Sequence, residues 1–303
     1  MKRKAAIAFL IVMSACSTDA PRESMTTSSL PYPQTQRIDQ VDVYHGVRVA
    51  DPYRWLENIG SPETKTWVDA QNAIAQPYLE AIPAREHIKA RMTQLWNYER
   101  YGLPEKRGDR HFYLRNDGLQ NQSVLYVAES LHAPPRVLLD PNALSPDATI
   151  ALGEFVPSPD GRLLAYSLSD GGTDWRTWHF REVESGKDLP DVLRHVKFAE
   201  LTWTEDSRSV YYSRYPALPD GTGDGSKQRE VYRHVLGTDA SADPLIFKIT
   251  DHPTRNPYTQ VSDDGRYLVM FIYDGVESTG LYYLKLDPDG APVGEVVRLI
   301  DTF

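Results

Sequence analysis

The sequence predicts a mainly β protein with N-terminal helices, in which the β part is a partial β-propeller. The first observation is a hairpin. His111 to Arg115 and Ser123 to Ala128 are rich in aromatic and β-branched residues and flank the turn-forming Asn116-Asp117-Gly118. The second is a turn that leads into an aromatic strand and recurs along the chain, with its arginine at Arg110, Arg162, Arg208 and Arg266. The third is the spacing of these arginines, about 50 residues, which is the size of a propeller blade.

The β region predicts antiparallel sheets. After Trp96 the helical periodicity disappears, and turn signals recur about every ten residues as far as Phe303. No crossover helix separates the strands, which argues against an α/β sheet. At about 50 residues per blade, residues 97–303 have room for about four blades. Because propellers usually close with more blades and the chain stops in a strand-like run, we expect the sequence to be incomplete.

The N-terminal residues indicate export. Lys2, Arg3 and Lys4 form a basic segment, and Ala5 to Met13 form an apolar one that is too short to span a bilayer stably. Cys16 follows small residues, as in bacterial lipoprotein signals, and is the only cysteine, which excludes an internal disulfide. We therefore expect residues 1–15 to be a signal peptide and Cys16 to carry a lipid that anchors an exported, periplasmic protein to the membrane. The alternative is an ordinary signal peptide with an incidental cysteine.

Residues 37–96 predict a helical segment that follows a Ser-, Thr- and Pro-rich tether over residues 16–36. Asp51-Pro52 and Ser61-Pro62 are helix starts, with a capping residue before a proline in the first turn. After the second start, apolar residues recur at helical spacing, at Trp67, Ala70, Ile74 and Tyr78. A third helix is predicted from Ala84 to Trp96. These apolar stripes need a partner surface.

The composition and motifs exclude several kinds of site. With 33 basic and 42 acidic residues the formal net charge is −9, and no basic cluster indicates nucleic-acid binding. No G-x-S-x-G nucleophile elbow is present, and the eight histidines lack a paired Ser and Asp. The Gly-rich segment 220–225 begins like an EF-hand loop, but Val231 occupies the position of its bidentate Glu. We therefore predict no metal site, no cofactor and no catalytic residue in this chain.

Several long motifs resemble the prolyl oligopeptidase family of serine peptidases, from about Tyr44 to Phe303. They are ADPYRWLEN at 50–58, LRNDGLQNQSVLYV at 114–127, LPDVLRHVKF at 189–198, YRHVLGTD at 232–239 and VSDDGRYL at 261–268. The resemblance implies a seven-bladed β-propeller over an α/β-hydrolase domain, with about four of the blades in this chain. It also implies that the helical segment packs on the hydrolase domain. The catalytic Ser, Asp and His would then lie in that domain, outside residues 1–303.

The resemblance also implies substrate-contacting residues on the propeller face. Phe198 closes the V-K-F motif and would line the apolar side of the peptide-binding cleft, although its alternation with Val196 is equally typical of a core strand. Asn256 and Val276 fall at two further cleft positions, where the polarity of Asn256 departs from the family. Asp174 belongs to a motif on the same face, and the alternative for it is a purely structural turn.

The sequence is therefore consistent with two functions. The first is the propeller part of an exported, lipid-anchored endopeptidase that cleaves peptides after proline, with the propeller controlling substrate access. The second is a membrane-tethered propeller that binds a partner and catalyses nothing. A reading frame that continues past Phe303 into a G-x-S-x-G motif, then Asp and His, would distinguish them.

Overall fold

The computed structural model describes residues 30–250 and 252–303. The described residues fall into two compact units, divided between Ala90 and Arg91. The predicted signal peptide and Cys16 lie outside the described residues. Within those residues, no helix is both long enough and apolar enough to cross a membrane.

The first unit begins with a β-hairpin that the sequence does not predict. Strands β1 (Val41–Tyr44) and β2 (Val47–Ala50) pair antiparallel. The turn between them is formed by His45 and Gly46, which both adopt positive φ, at 50° and 81°. The predicted helix start at Asp51-Pro52 leads only to a short 3₁₀ turn, Arg54–Glu57.

The two longer helices start where the sequence predicts. Helix α1 (Pro62–Glu80) is capped by Ser61, whose side-chain oxygen accepts a hydrogen bond from the Thr64 amide at 3.1 Å. The indole of Trp67 donates to the Thr35 hydroxyl at 2.9 Å. Helix α2 (Arg85–Trp96) spans the boundary between the units. Its apolar residues Ile88, Met92, Leu95 and Trp96 are exposed in the chain described.

The described residues of the second unit form four antiparallel sheets. Sheet 1 contains β3 (Arg100–Tyr101), β4 (Glu105–Arg107), β5 (Arg110–Asn116), β6 (Val124–Ala128) and β7 (Arg136–Leu139). Sheet 2 contains β8 (Ile150–Pro157), β9 (Leu163–Asp170), β10 (Trp175–Glu182) and β11 (Asp188–Lys197). Sheet 3 contains β12 (Leu201–Trp203), β13 (Ser209–Arg214), β14 (Glu230–Val235) and β15 (Leu245–Phe247). Sheet 4 contains β16 (Arg255–Val261), β17 (Tyr267–Asp274), β18 (Ser278–Leu286) and β19 (Pro292–Ile300).

This arrangement confirms the predicted partial β-propeller of about four blades. Each repeated arginine turn connects two paired strands at the start of a sheet: β4 to β5, β8 to β9, β12 to β13 and β16 to β17. The predicted hairpin is formed by β5 and β6. The turns of sheets 1 and 2 touch through their backbones, since the Gly108 amide donates to the Pro159 carbonyl at 3.1 Å. A Cβ atom on Gly108 would lie 2.4 Å from the Asp160 carbonyl oxygen, so this contact requires glycine.

The hydrophobic core of the second unit lies between neighbouring sheets. Within the described residues, one cluster joins sheets 1 and 2, another joins sheets 2 and 3, and a third joins sheets 3 and 4. Consecutive residues of a central strand belong to different clusters. In β9, Leu164 packs toward sheet 1 and Ala165 toward sheet 3, and in β13, Tyr211 packs toward sheet 4 and Tyr212 toward sheet 2. Because both faces of sheets 2 and 3 are covered, the central strands β9 and β13 contain short continuous apolar runs, at residues 163–166 and 210–212.

A buried histidine also joins sheets 2 and 3. His234 in β14 is fully buried, and its Nδ1 lies 2.9 Å from Asp243 while its Nε2 lies 3.0 Å from Asp191 in β11. The Gly237 amide also donates to Asp191. Burial opposes a charge on the imidazole, but hydrogen bonds and charge from Asp243 and Asp191 outweigh it and raise the pKa of His234 above its usual value. When protonated, the imidazole donates one hydrogen bond to each of the two carboxylates.

This bridge predicts a pH-dependent stability. A raised folded-state pKa means that the His234 contribution is fully present below about pH 6.5 and is lost as the pH rises through the folded-state pKa. We expect His234→Gln to lower the free energy of unfolding by about 3–5 kcal/mol at pH 6, because two buried carboxylates lose their cation, and by clearly less at pH 9. Urea unfolding of both proteins at the two pH values measures this.

His179 provides the matched control. It lies half-buried in β10, and burial, followed by the charges of Arg194 and Arg181, lowers its pKa against the opposing effect of Asp188. Its contribution to stability is therefore lost as the pH falls below about 6.5, so His179→Gln should show the opposite pH trend. Equal losses for His234→Gln at pH 6 and pH 9 would show that the bridge does not depend on protonation.

Candidate functional site

The main cavity of the second unit, as far as the structure describes it, has a volume of about 1010 Å³ and is lined by first strands of successive sheets. Strands β8, β12 and β16 each supply consecutive lining residues, and each forms one edge of its own sheet. Edge strands carry backbone N–H and C=O groups without a partner strand. The cavity therefore has a wall of backbone donors and acceptors with side chains between them.

Phe198 lies in this wall, directly after β11. Its ring is 52% exposed, whereas Val196 two residues earlier is fully buried. The interpretation of Phe198 as a core residue is therefore wrong. The physical reason is the backbone, since Phe198 has φ of 51°, a conformation that is uncommon for a bulky residue and that breaks the in-and-out alternation of a strand. Contact with substrate stays a prediction.

Asp174 is connected to Phe198 through one lysine. The Lys197 ammonium lies 3.3 Å from an Asp174 carboxylate oxygen and 4.9 Å from the Phe198 ring centroid. The same ammonium lies 5.6 Å from the Trp175 ring centroid. Cations are attracted to aromatic faces at such distances. Asp174 thus fixes the cation beside the predicted substrate-contacting ring, and a direct role of Asp174 in binding stays a prediction.

Asn256 lines the cavity and is joined to an arginine that the sequence analysis did not select. The Asn256 side-chain oxygen accepts a hydrogen bond from the Arg229 amide at 3.3 Å. The Arg229 guanidinium donates to the Lys197 carbonyl at 3.4 Å and lies 4.3 Å from the Tyr258 ring centroid. Arg229 thus links Asn256 to the segment that carries Phe198. Nothing in the local sequence distinguishes it from a surface arginine at the start of a strand.

Val276 does not lie with Phe198, Asp174 and Asn256. It lies in the turn between β17 and β18 and is fully exposed. Its neighbour Gly275 does line the cavity. A role for Val276 in the cleft therefore stays a prediction.

The cavity also carries two carboxylates, on the sides contributed by sheets 2 and 3. Glu154 forms an ion pair with Arg176, and burial raises the pKa of Glu154 despite that partner. The charge of Glu200, which also lines the cavity, raises the pKa of Glu154 further. The cavity is thus lined by charged residues of both signs, Glu154 and Glu200 together with Arg107 and Arg229.

The segment predicted as a Gly-rich loop lies between β13 and β14. Its carboxylates bind groups of the loop itself: Asp220 accepts from the Thr222 amide and hydroxyl, and Asp224 accepts from Ser226. Residues 30–250 and 252–303 contain no group of three or more His, Cys, Asp or Glu side chains placed to hold a metal ion.

Comparison with known proteins agrees with this architecture. Residues 33–303 match the family described as the prolyl oligopeptidase N-terminal β-propeller domain. The chain is 36% identical over 301 residues to a prolyl endopeptidase of Elizabethkingia miricola, covering 97% of this chain and 42% of that protein. It is 35% identical over 270 residues to prolyl oligopeptidase ophP of Omphalotus olearius, covering 79% of this chain and 36% of that protein.

Solved structures show the same likeness. Prolyl oligopeptidase B from Galerina marginata, bound to a 35mer hydrolysis and macrocyclization substrate, superposes with a TM-score of 0.73 at 30% identity. That match covers 90% of this chain and 42% of the other. The chain thus spans about two fifths of the length of these relatives. Together with the four stacked sheets, the matches show that the chain belongs to the prolyl oligopeptidase family and that residues 33–303 match its N-terminal β-propeller domain.

Proposed function

We propose that this chain is the propeller part of a serine endopeptidase that cleaves peptides on the carboxyl side of proline. The observation that carries the proposal is the exposed Phe198 ring at the wall of the 1010 Å³ cavity. An apolar ring among edge-strand backbone groups suits an extended peptide, which needs both apolar contact and hydrogen-bond partners. The relatives named prolyl endopeptidases support the same reaction.

The propeller contributes binding and access in this proposal. Acyl transfer needs an activated serine, and residues 1–303 contain no G-x-S-x-G elbow. The nucleophile, its base and the orienting aspartate therefore come from a hydrolase domain, as the family resemblance implies. The cavity wall then holds the residues upstream of proline and admits extended peptides, whereas folded proteins are too wide to enter.

We also propose that the protein is exported and lipid-anchored. The support is the order of the N-terminal segments: three basic residues, then a short apolar run, then Cys16 after small residues. A lipid on Cys16 would hold the peptidase at the membrane, where it meets peptides outside the cytoplasm.

The reaction can be tested by comparing this chain with the protein encoded by the whole reading frame. We expect the longer protein to release a chromogenic group from a peptide with proline before it, and to act at least about 100-fold more slowly when alanine replaces that proline. We expect residues 1–303 alone to show no hydrolysis and no serine-directed labelling. Equal cleavage after proline and alanine, or labelling of the shorter chain, would contradict the proposal.

The anchor can be tested with Cys16→Ser. Removing the only cysteine should move the protein from the membrane fraction to the soluble fraction, because the acylation site is lost. Ser14→Ala, a conservative change in the same segment, is the control and should leave the protein with the membranes. If the Cys16→Ser protein still sediments with membranes, the anchor is not a lipid on this residue.

Phe198→Ala tests the contribution of the cavity wall. Because the ring is half exposed, we expect the free energy of unfolding to fall by less than about 1 kcal/mol. In the longer protein, the loss of one apolar contact should reduce the preference for large over small side chains upstream of proline by about 10-fold or more. The measurements are thermal melts and kcat/KM for paired peptides.

Phe180→Ala is the matched control for that test. Phe180 lies in the same sheet but is fully buried in the cluster between sheets 2 and 3, so its truncation should cost about 3–5 kcal/mol of stability. A Phe198→Ala protein that is as unstable as the Phe180→Ala protein, with unchanged peptide preference, would remove Phe198 from the binding site.

A further inference from the structure

Arg229 is a buried cation in the cavity wall. The residue is only 2% exposed and is one of those that line the cavity. A guanidinium stays charged at all physiological pH values, so it cannot escape the cost of burial by losing its proton. Buried cations of this kind are normally paired with a carboxylate and have their N–H groups hydrogen-bonded.

Arg229 lacks such a pair. Its guanidinium makes one long hydrogen bond, at 3.4 Å, to the Lys197 carbonyl, and its Nε is buried without an acceptor. Within residues 30–250 and 252–303 it forms no ion pair. The Tyr258 ring, 4.3 Å away, offsets part of the charge but supplies no acceptor of carboxylate strength.

Two other well-shielded arginines of the second unit are each paired with a carboxylate, which Arg229 lacks in the described residues. The Arg181 side chain, 14% exposed, lies 2.7 Å from an Asp188 carboxylate oxygen. The Arg255 side chain, 12% exposed, lies 3.0 Å from Asp274. These two arginines thus each have a carboxylate partner, whereas the more deeply buried Arg229 has none within the described residues.

Neither of the carboxylates that line the cavity forms an ion pair with Arg229 within the described residues. Glu154 forms an ion pair with Arg176, and the charge of Glu200 raises the pKa of Glu154. Asn256, which is close to Arg229, is neutral and binds its backbone amide rather than its guanidinium. The described residues thus leave the Arg229 guanidinium, beside the cavity, without a carboxylate partner.

We propose that Arg229 binds a carboxylate group of a peptide held in the cavity, and so gives the site a preference for acidic peptides. This inference rests on the proposed peptide-binding function and adds a charge requirement to it. The planar guanidinium can bind both oxygens of a carboxylate, which an ammonium cannot. The carboxylate comes either from an Asp or Glu side chain or from the C-terminus of the peptide.

The test is calorimetric titration of this chain with acetylated, amidated pentapeptides that contain one proline. One set carries a single Glu at each position in turn, and a matched set carries Gln. A third set has Gln and a free C-terminal carboxylate. We expect one position, or the free C-terminus, to bind about 10-fold tighter than its neutral partner. The set that shows the difference identifies the source of the carboxylate.

The variants are Arg229→Gln and Arg107→Gln. Arg107 lines the same cavity but is exposed and already pairs with Glu105 at 2.7 Å. Its variant therefore removes one positive charge from the cavity and leaves the proposed site intact. We expect Arg229→Gln to abolish the preference and Arg107→Gln to retain it. Equal binding of charged and neutral peptides by the unmodified chain, or no measurable binding of either, would overturn the inference. A preference that survives in Arg229→Gln would overturn it too.

A second measurement does not depend on the variant being folded. Acetate should raise the melting temperature of the unmodified chain and of Arg107→Gln more than chloride at equal ionic strength, because a ligand of the folded state stabilises it. No difference between the two salts would count against the site. Cleavage by the longer protein tests the proposed function separately: if charge matters for binding but the longer protein does not prefer proline over alanine, the carboxylate site stands and the prolyl specificity fails.

Discussion

Face-to-face packing of neighbouring sheets is the constraint on which the second unit depends. A sheet buried on one face can alternate apolar and polar residues, but sheets 2 and 3 are covered on both faces. Tyr211 and Tyr212 are adjacent and both fully buried, and they belong to the clusters on opposite sides of sheet 3. Both of these residues are therefore committed to packing. Residues that bind a ligand therefore have to lie where strands and sheets end.

The cavity lies where packing ends. It is lined by the edge strands β8, β12 and β16 and by the segment after β11, and its polar backbone groups are not needed for a further strand pair. The sheets still cross-link at this edge, since the Trp203 indole of sheet 3 donates to the Val156 carbonyl of sheet 2 at 2.9 Å. The wall is thus held rigidly by the sheets while its side chains remain available.

Local signals predicted the parts of the fold that depend on local chemistry. The Ser61 cap, the β5–β6 hairpin and the arginine turns are each encoded in a few adjacent residues, and each was found where the sequence placed it. The β1–β2 hairpin was missed because its turn is His45-Gly46, and a histidine with positive φ has no clear sequence signal. The alternation that suggested a core position for Phe198 failed for the same reason.

The site was only partly predictable, because burial and charge pairing are properties of the assembled sheets. Motif resemblance pointed to Phe198, Asn256 and Asp174, and the structure joins them through Lys197 and Arg229. Arg229 itself could not be selected from the sequence, since its burial depends on Tyr258 of sheet 4 and on the Lys197 carbonyl of sheet 2.

The separation between packing and cavity residues has a consequence for how specificity can change. Trp178, Phe180 and Tyr212 are fully buried between sheets, so their substitution would act on stability first. Phe198 is outside the clusters, and within the described residues Arg229 has no carboxylate partner that would make it a structural cross-link. Substitutions at these two positions can alter which peptides fit while the three inter-sheet clusters stay intact. A propeller of this kind can therefore keep its fold and change its ligand preference through a few residues at its strand edges.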